Sequence, residues 1–95
     1  MLQGEALFLV AVTSDDGKEA RFINLIDVNR SEKTIRVIPF DLTEKSKQSK
    51  LTYEKILLES GTKELVSAVE SDRRVDIDRY LLFTDTGYKS VFRAL

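Results

Sequence analysis

The chain has 95 residues with 15 basic and 16 acidic side chains, so its formal net charge is −1. This length fits one domain, residues 1–95, with a single core, and the balanced charge lacks the basic surplus that marks nucleic-acid-binding proteins. The absence of cysteine and histidine excludes disulfides, thiol catalysis and the commonest general base and zinc ligand. No window is apolar over the length of a membrane span.

Three strands are predicted in the first 40 residues. Residues 6–12 are continuously apolar, which is typical of a strand buried on both faces. After a turn containing Asp16-Gly17, residues 20–29 resume strand character. A third strand begins at Thr34 and ends at Pro39, because proline donates no backbone hydrogen bond and is confined to strand ends or sheet edges. We expect the stretch 34–41 to be the centre of the fold.

The second half of the chain predicts helices with one more strand between them. Residues 51–59 change to helical spacing, Ser60-Gly61 ends this helix, and Thr62 is a candidate N-cap for the next one. Residues 80–83 form a fourth strand, and Asp85 or Thr86 is expected to cap a last helix. The order β-β-β-α-α-β-α predicts an α/β fold with a mixed sheet of about four strands covered by helices.

The last helix has the cleanest amphipathic pattern in the chain, with apolar residues at i, i+3, i+4 and i+7. These positions are Tyr88, Val91, Phe92 and Leu95. Tyr53, Tyr80 and Tyr88 lie on apolar stripes, so we expect all three in the core rather than in a nucleic-acid stacking surface.

Acidic and basic groups outside the elements supply the candidate sites. Asp41 directly follows a strand end, where ligands bind in open α/β sheets, although an acid there also serves as a simple loop cap. The acidic group around Asp15 and Asp16 is either a metal site or a solvated hairpin turn, and turn chemistry favours the second. The lysines of residues 45–50 are either a phosphate contact or a solvated loop, and we expect the loop.

The order of several short motifs resembles the LytR–CpsA–Psr family. Residues 35–41 (IRVIPFD) are similar to the family's strand ending in Ile-Pro-Arg-Asp, residues 75–80 (VDIDRY) to its Ile-Asp-x-Tyr strand, and residues 85–88 (DTGY) to its Asp-x-x-Gly-Phe helix. Lys50-Leu51 and Gly61 stand between them at matching positions. The order and spacing match from about residue 6 to residue 95. Because the family usually continues further, we expect a truncated domain.

The resemblance implies an extracytoplasmic enzyme that transfers polyprenyl-pyrophosphate-linked glycopolymers to the cell wall with Mg²⁺. In that family acids bind the metal and arginines bind the pyrophosphate, since two phosphates need cationic partners. Carried over to this chain, it implies a remnant ligand-binding site of Asp15, Arg21, Arg36 and Asp41. In the alternative of an enzyme with a remodelled site, the two acids would hold the metal and the two arginines would replace the lost pyrophosphate contacts.

Three positions depart from the family pattern. Phe40 stands where the motif has its phosphate-binding arginine, Arg21 where it has a metal-binding acid, and Thr52 where it has an asparagine. We therefore predict a non-catalytic binding or structural domain of the cell envelope that uses no cofactor. Its expected partners are another protein, a second copy of itself or an envelope glycopolymer, and not nucleic acid. The alternative is a phosphotransferase with a remodelled site and Mg²⁺.

Overall fold

The sheet is built around its first strand, which pairs with a neighbour on each side. The computed structural model describes residues 6–93, and side chains through residue 90. The strands are β1 (Ala6–Thr13), β2 (Ala20–Asn29), β3 (Thr34–Pro39) and β4 (Arg79–Thr84). The helices are α1 (Tyr53–Lys55), which continues as a π-helical turn (Ile56–Ser60), α2 (Thr62–Arg73) and α3 (Asp85–Arg93). These elements confirm the predicted α/β class and the sheet of four strands.

The strand order is β3-β2-β1-β4, so β1 is an interior strand and β3 is an edge strand. β1 pairs antiparallel with β2 and parallel with β4, and β2 pairs antiparallel with β3. The expectation that residues 34–41 form the centre of the fold is therefore wrong. The physical reason is burial: β1 is the continuous apolar run, whereas β3 is mostly exposed and carries Arg36 and Pro39, which suit an edge.

The core lies on one face of the sheet, beneath the helices. Alternate residues of β1 and β2 point to this face, where they meet α1, the π-helical turn and α2. The fully buried contributors include Leu9, Ile23, Leu25, Tyr53, Ile56, Leu65 and Val69. Gly61 follows the π-helical turn with φ of 99°, a backbone conformation that favours glycine, and it allows the chain to reverse into α2.

The second face of the sheet is apolar and is covered by α3 at one end. Tyr88 of α3 packs edge-on against Phe22 (ring centroids 5.3 Å apart) and against Phe83 (6.1 Å). Farther along the same face, Ile35 and Val37 of the edge strand β3 are exposed. Within residues 6–93, no helix is long and apolar enough to cross a membrane.

Several local expectations need correction. Tyr80 is 46% exposed rather than in the core, because β4 is an edge strand with no neighbour on its outer side among the described residues. Thr62 does not cap α2, whose N-cap is Gly61 without a side-chain bond. Neither Asp85 nor Thr86 caps α3 as expected; the Thr84 hydroxyl accepts from the Gly87 amide at 3.1 Å instead. Of the apolar stripe predicted on α3, the Val91 and Phe92 side chains and Leu95 lie outside the described part of the chain.

Because β1 is an interior strand, we expect a substitution that leaves a cavity beside it to destabilise the fold strongly. Leu9 is 1% exposed, so Leu9→Ala should lower the free energy of unfolding by about 2–5 kcal/mol through lost transfer energy and an unfilled cavity. Urea unfolding followed by circular dichroism measures this change. Val37→Ala on the exposed edge strand is the control and should cost less than about 1 kcal/mol. Equal costs at the two positions would contradict the assigned burial.

Candidate functional site

Asp15 lies in the β1–β2 turn and serves as an acceptor for the start of α3. Its carboxylate accepts from the Thr86 amide at 2.9 Å and from the Thr86 hydroxyl at 2.6 Å. These two hydrogen bonds, the hydroxyl first, hold the pKa of Asp15 below its ordinary value. Gly17 has φ of 72°, so the turn uses the glycine of the predicted Asp-Gly pair. The predicted hairpin turn is present, and one of its acids additionally stabilises a helix N-terminus.

Arg21 of β2 is paired with acids on both sides. Its Nε donates to Asp85 at 2.9 Å, and its Nη1 lies 3.2 Å from Glu19. The hydrogen bond to Asp85 is the main cause that raises the pKa of the guanidinium. Since Asp85 opens α3, Arg21 and Asp15 both bind the first turn of the same helix.

Asp41 follows the end of β3 and accepts from its own turn. Its carboxylate accepts from the amide of Thr43 at 2.9 Å and from the hydroxyl of Thr43 at 2.7 Å, and these bonds lower its pKa. The Phe40 amide donates to Ile23 at 2.9 Å, so the chain is still paired with β2 one residue before Asp41. Asp41 and Arg21 therefore lie toward the same end of the sheet, on neighbouring strands, and each has its own partners.

Arg36 lies away from the other three predicted site residues. It sits in the middle of β3, directly opposite Asp27 of β2, and it is exposed. Asp27 is 4% exposed, and its Oδ1 has no hydrogen-bond partner among the described residues. The structure thus places Asp15 and Arg21 each against the first turn of α3, places Asp41 toward the same end of the sheet and leaves Arg36 mid-strand.

An open cleft of about 360 Å³ adjoins Arg21 between the start of β2 and α1. It is lined by Lys18, Glu19, Ala20, Arg21, Glu54, Lys55 and Leu58. Three of these side chains are cationic and two are acidic, so the cleft has a small basic excess. Lys18 and Lys55 were not singled out by the sequence, because nothing in their local pattern indicates that the fold brings them to one cleft.

Phe40, which the resemblance aligns with a phosphate-binding arginine, points into the core. It is 7% exposed and packs edge-on against Tyr53, with ring centroids 5.1 Å apart and planes at 84°. The Arg73 guanidinium lies 4.6 Å from the centroid of the Phe40 ring. Such aromatic and cation–π contacts add to the apolar burial of the ring.

A part-buried polar network centred on Asp72 was not predicted from the sequence. One Asp72 oxygen accepts from the Tyr53 hydroxyl and from the Ser46 hydroxyl, each at 2.7 Å, and from the Lys47 amide at 3.3 Å. Burial acts to raise the Asp72 pKa, but these hydrogen bonds outweigh it and the pKa is lowered. Burial and the Asp72 contact raise the pKa of Tyr53 to about 12. The partners are 19–26 residues apart in sequence, so no local pattern reveals them.

The donor atoms do not fit the Mg²⁺ site that the resemblance implies. Both Asp15 oxygens already accept from Thr86, and Asp41 accepts from Thr43. Among the residues that the structure describes, no three acids converge on one point. A hard cation such as Mg²⁺ needs several oxygens in near-octahedral geometry.

Comparisons of the chain with protein-family models, with curated proteins and with solved structures gave no significant match. The similarity to the LytR–CpsA–Psr family, and the ligand-binding role of Asp15, Arg21, Arg36 and Asp41, therefore stay predictions.

The bonds from Asp15 to Thr86 predict a local role in α3. Asp15→Ala removes both bonds, so amide hydrogen exchange should accelerate in the first turn of α3 and stay unchanged in α2. Asp15→Asn keeps an acceptor and should give a smaller effect, while Lys18→Ala is the control in the same turn. Uniform acceleration across the protein in Asp15→Ala would contradict a local cap.

The lowered pKa of Asp72 predicts a defined pH dependence of stability. Its folded-state pKa lies below the ordinary value of 3.8, so its contribution is complete above about pH 5 and is lost as the pH falls through the folded value. Asp72→Asn should therefore be less stable than the unmodified protein at pH 7, and the gap in the free energy of unfolding should narrow toward pH 3.

Urea unfolding at several pH values measures this gap, and Asp76→Asn at an exposed acid is the control. A gap between the Asp72→Asn variant and the unmodified protein that widens on acidification would show that the carboxylate does not stabilise the fold.

Proposed function

We propose that this chain is a non-catalytic binding or structural domain of LytR–CpsA–Psr type, associated with the cell envelope. The observation that carries the proposal is the orientation of Phe40, which replaces the motif's arginine and packs inward against Tyr53. A neutral ring held in the core offers no charge to a pyrophosphate, whose recognition depends on charge-assisted hydrogen bonds. The cell-envelope link rests on the resemblance of the motifs.

The other predicted site residues support the same proposal through their contacts. Asp15 and Arg21 bind the first turn of α3, and Asp41 orders the turn that leaves β3. Recruiting Asp15 or Arg21 for a ligand would compete with the hydrogen bonds that hold the first turn of α3. A scaffold role explains why acids and an arginine persist toward the strand ends without converging on one point.

Isothermal titration with geranylgeranyl pyrophosphate, with and without Mg²⁺, tests the proposal. We expect no saturable binding at ligand concentrations up to roughly 1 mM, the weak end of specific affinities. The Arg21→Gln and Asp41→Asn variants should give the same titration as the unmodified protein. Micromolar binding that depends on Mg²⁺ and disappears in Asp41→Asn would overturn the non-catalytic interpretation.

The second candidate function is pyrophosphate binding by a remodelled phosphotransferase. The specific observation in its favour is the cleft at the start of β2, where Lys18, Arg21 and Lys55 lie together. In this alternative the three cations replace the missing arginine, while Arg36 contributes nothing because it lies mid-strand. The same titration discriminates: binding lost in both Arg21→Gln and Lys55→Gln, but kept in Arg36→Gln, would favour it.

A further inference from the structure

The outer edge of β4 exposes three consecutive apolar residues. Tyr80, Leu81 and Leu82 are consecutive in this strand and are 46%, 44% and 50% exposed. β4 contains neither proline nor lysine, and its pairing with β1 runs in unbroken register. The opposite edge strand, β3, carries Arg36 and ends at Pro39. Proline protects the end of β3, whereas the one charged residue of β4, Arg79, stands at the start of that strand, so among the described residues the stretch from Tyr80 to Leu82 is the more open of the two edges.

The backbone groups that point outward from β4 can be identified. The Leu7 carbonyl accepts from the Asp78 amide, so Leu7 faces β4, and by alternation Leu9 and Ala11 face β4 as well. Leu81 is paired with Val10 of β1, whose neighbours Leu9 and Ala11 bond to β4. The amide and carbonyl of Leu81 therefore point back to β1. The amides and carbonyls of its two neighbours, Tyr80 and Leu82, therefore point away from the sheet.

We propose that β4 pairs antiparallel with β4 of a second copy of this chain, about a two-fold axis at Leu81. In such a pair, residues directly opposite each other share a face of the sheet. With the axis at Leu81, Tyr80 of each copy lies opposite Leu82 of the other, and both of these pairs are hydrogen-bonded. The two Leu81 residues lie opposite each other at the axis. The three exposed apolar residues of each copy then cover one another, and the interface is isologous.

Other registers of the two β4 strands pair fewer of the exposed apolar residues and free backbone groups. An axis at Leu82 places Tyr80 opposite Thr84, and an axis at Tyr80 places Leu82 opposite Asp78, whose amide is already bonded to Leu7. The antiparallel arrangement also brings Arg79 at the start of each β4 opposite Phe83 of the other, next to Asp85, an acid that already accepts from Arg21 within its own copy.

This pairing deepens the proposed structural role because it names a second copy of the chain as the partner. Its biological meaning rests on the proposed function, but the pairing itself does not. The contact is confined to one strand edge, so its area falls below the roughly 1,200 Å² of stable interfaces and a weak, concentration-dependent dimer is expected. A pyrophosphate titration that contradicts the non-catalytic role would leave the dimer untouched, and a monomer would leave the titration result untouched.

Sedimentation equilibrium of the full 95-residue chain tests the dimer. We expect a monomer–dimer equilibrium that Leu81→Lys abolishes, because two lysines would face each other at the axis. Ile35→Lys, the same change at the 69% exposed position of the β3 edge, should leave the dimer intact. A monomer at concentrations up to roughly 1 mM would overturn the proposal, as would open-ended oligomers disrupted by Ile35→Lys.

Cysteine cross-linking tests the register even if Leu81→Lys fails to fold. The chain has no cysteine, so each single substitution reports on one position. Opposed residues at an antiparallel axis have Cα atoms about 4.5 Å apart, within disulfide range. Leu81→Cys should form a covalent dimer under mild oxidation faster than Leu82→Cys, and Ile35→Cys should not exceed a random-collision rate. Faster cross-linking of Leu82→Cys or Ile35→Cys would overturn the proposed axis.

Discussion

The contact between Phe40 and Tyr53 connects the end of the sheet to the helices that cover it. Phe40 follows β3 directly, and its ring meets Tyr53 edge-on at the start of α1. Tyr53 in turn donates to Asp72 near the end of α2, and Arg73 of the same helix lies over the Phe40 ring. One aromatic pair therefore holds β3, the long connection after it and two helices in a fixed arrangement. A charged or short side chain at position 40 would remove the central member of this set.

Local sequence patterns were enough to find the elements of this fold. The apolar run at residues 6–12, the Asp-Gly turn and the helical spacing after residue 51 each depend on interactions between near neighbours. Pro39 was correctly predicted to end a strand or lie at an edge, because a missing amide has the same consequence in any sheet. What the patterns missed was the arrangement of the strands: the prediction centred the fold on residues 34–41, whereas β1 is interior and β3 lies at an edge.

The contacts of the candidate site were less predictable, for a physical reason. Asp15 meets Thr86, and Asp72 meets Ser46 and Tyr53, across 19 to 71 residues of chain. Such contacts follow from the packing of whole elements, which no short motif records. The exposure of Tyr80 has the same origin, since an apolar residue in a strand is buried only when another element covers it. Asp15, Asp41 and Arg21 were predicted as parts of a remnant ligand site, and in the structure they hold turns and a helix N-terminus.

The two edges of the sheet differ in composition, and this difference is consistent with a structural role for the domain. The polar side chains toward one end of the sheet hold turns and α3. Exposed apolar side chains and outward backbone groups lie elsewhere, along β4. The apolar residues and outward backbone groups of β4 lie together on one edge, whereas Arg36 and Pro39 mark the other. Association through a strand edge requires no convergent side chains, so it is compatible with the proposed non-catalytic role.

The most direct test of the central claim is the position of the Phe40 ring in solution. Nuclear Overhauser effects between the ring protons of Phe40 and Tyr53 report on distances of roughly the 4.5–7 Å separation of packed aromatic pairs. Strong ring-to-ring effects, with protection of the Phe40 side chain from a soluble paramagnetic probe, would show that position 40 belongs to the core. A Phe40 ring that is broadened by the probe and shows no effect to Tyr53 would place this side chain at the surface and contradict the proposed loss of the site.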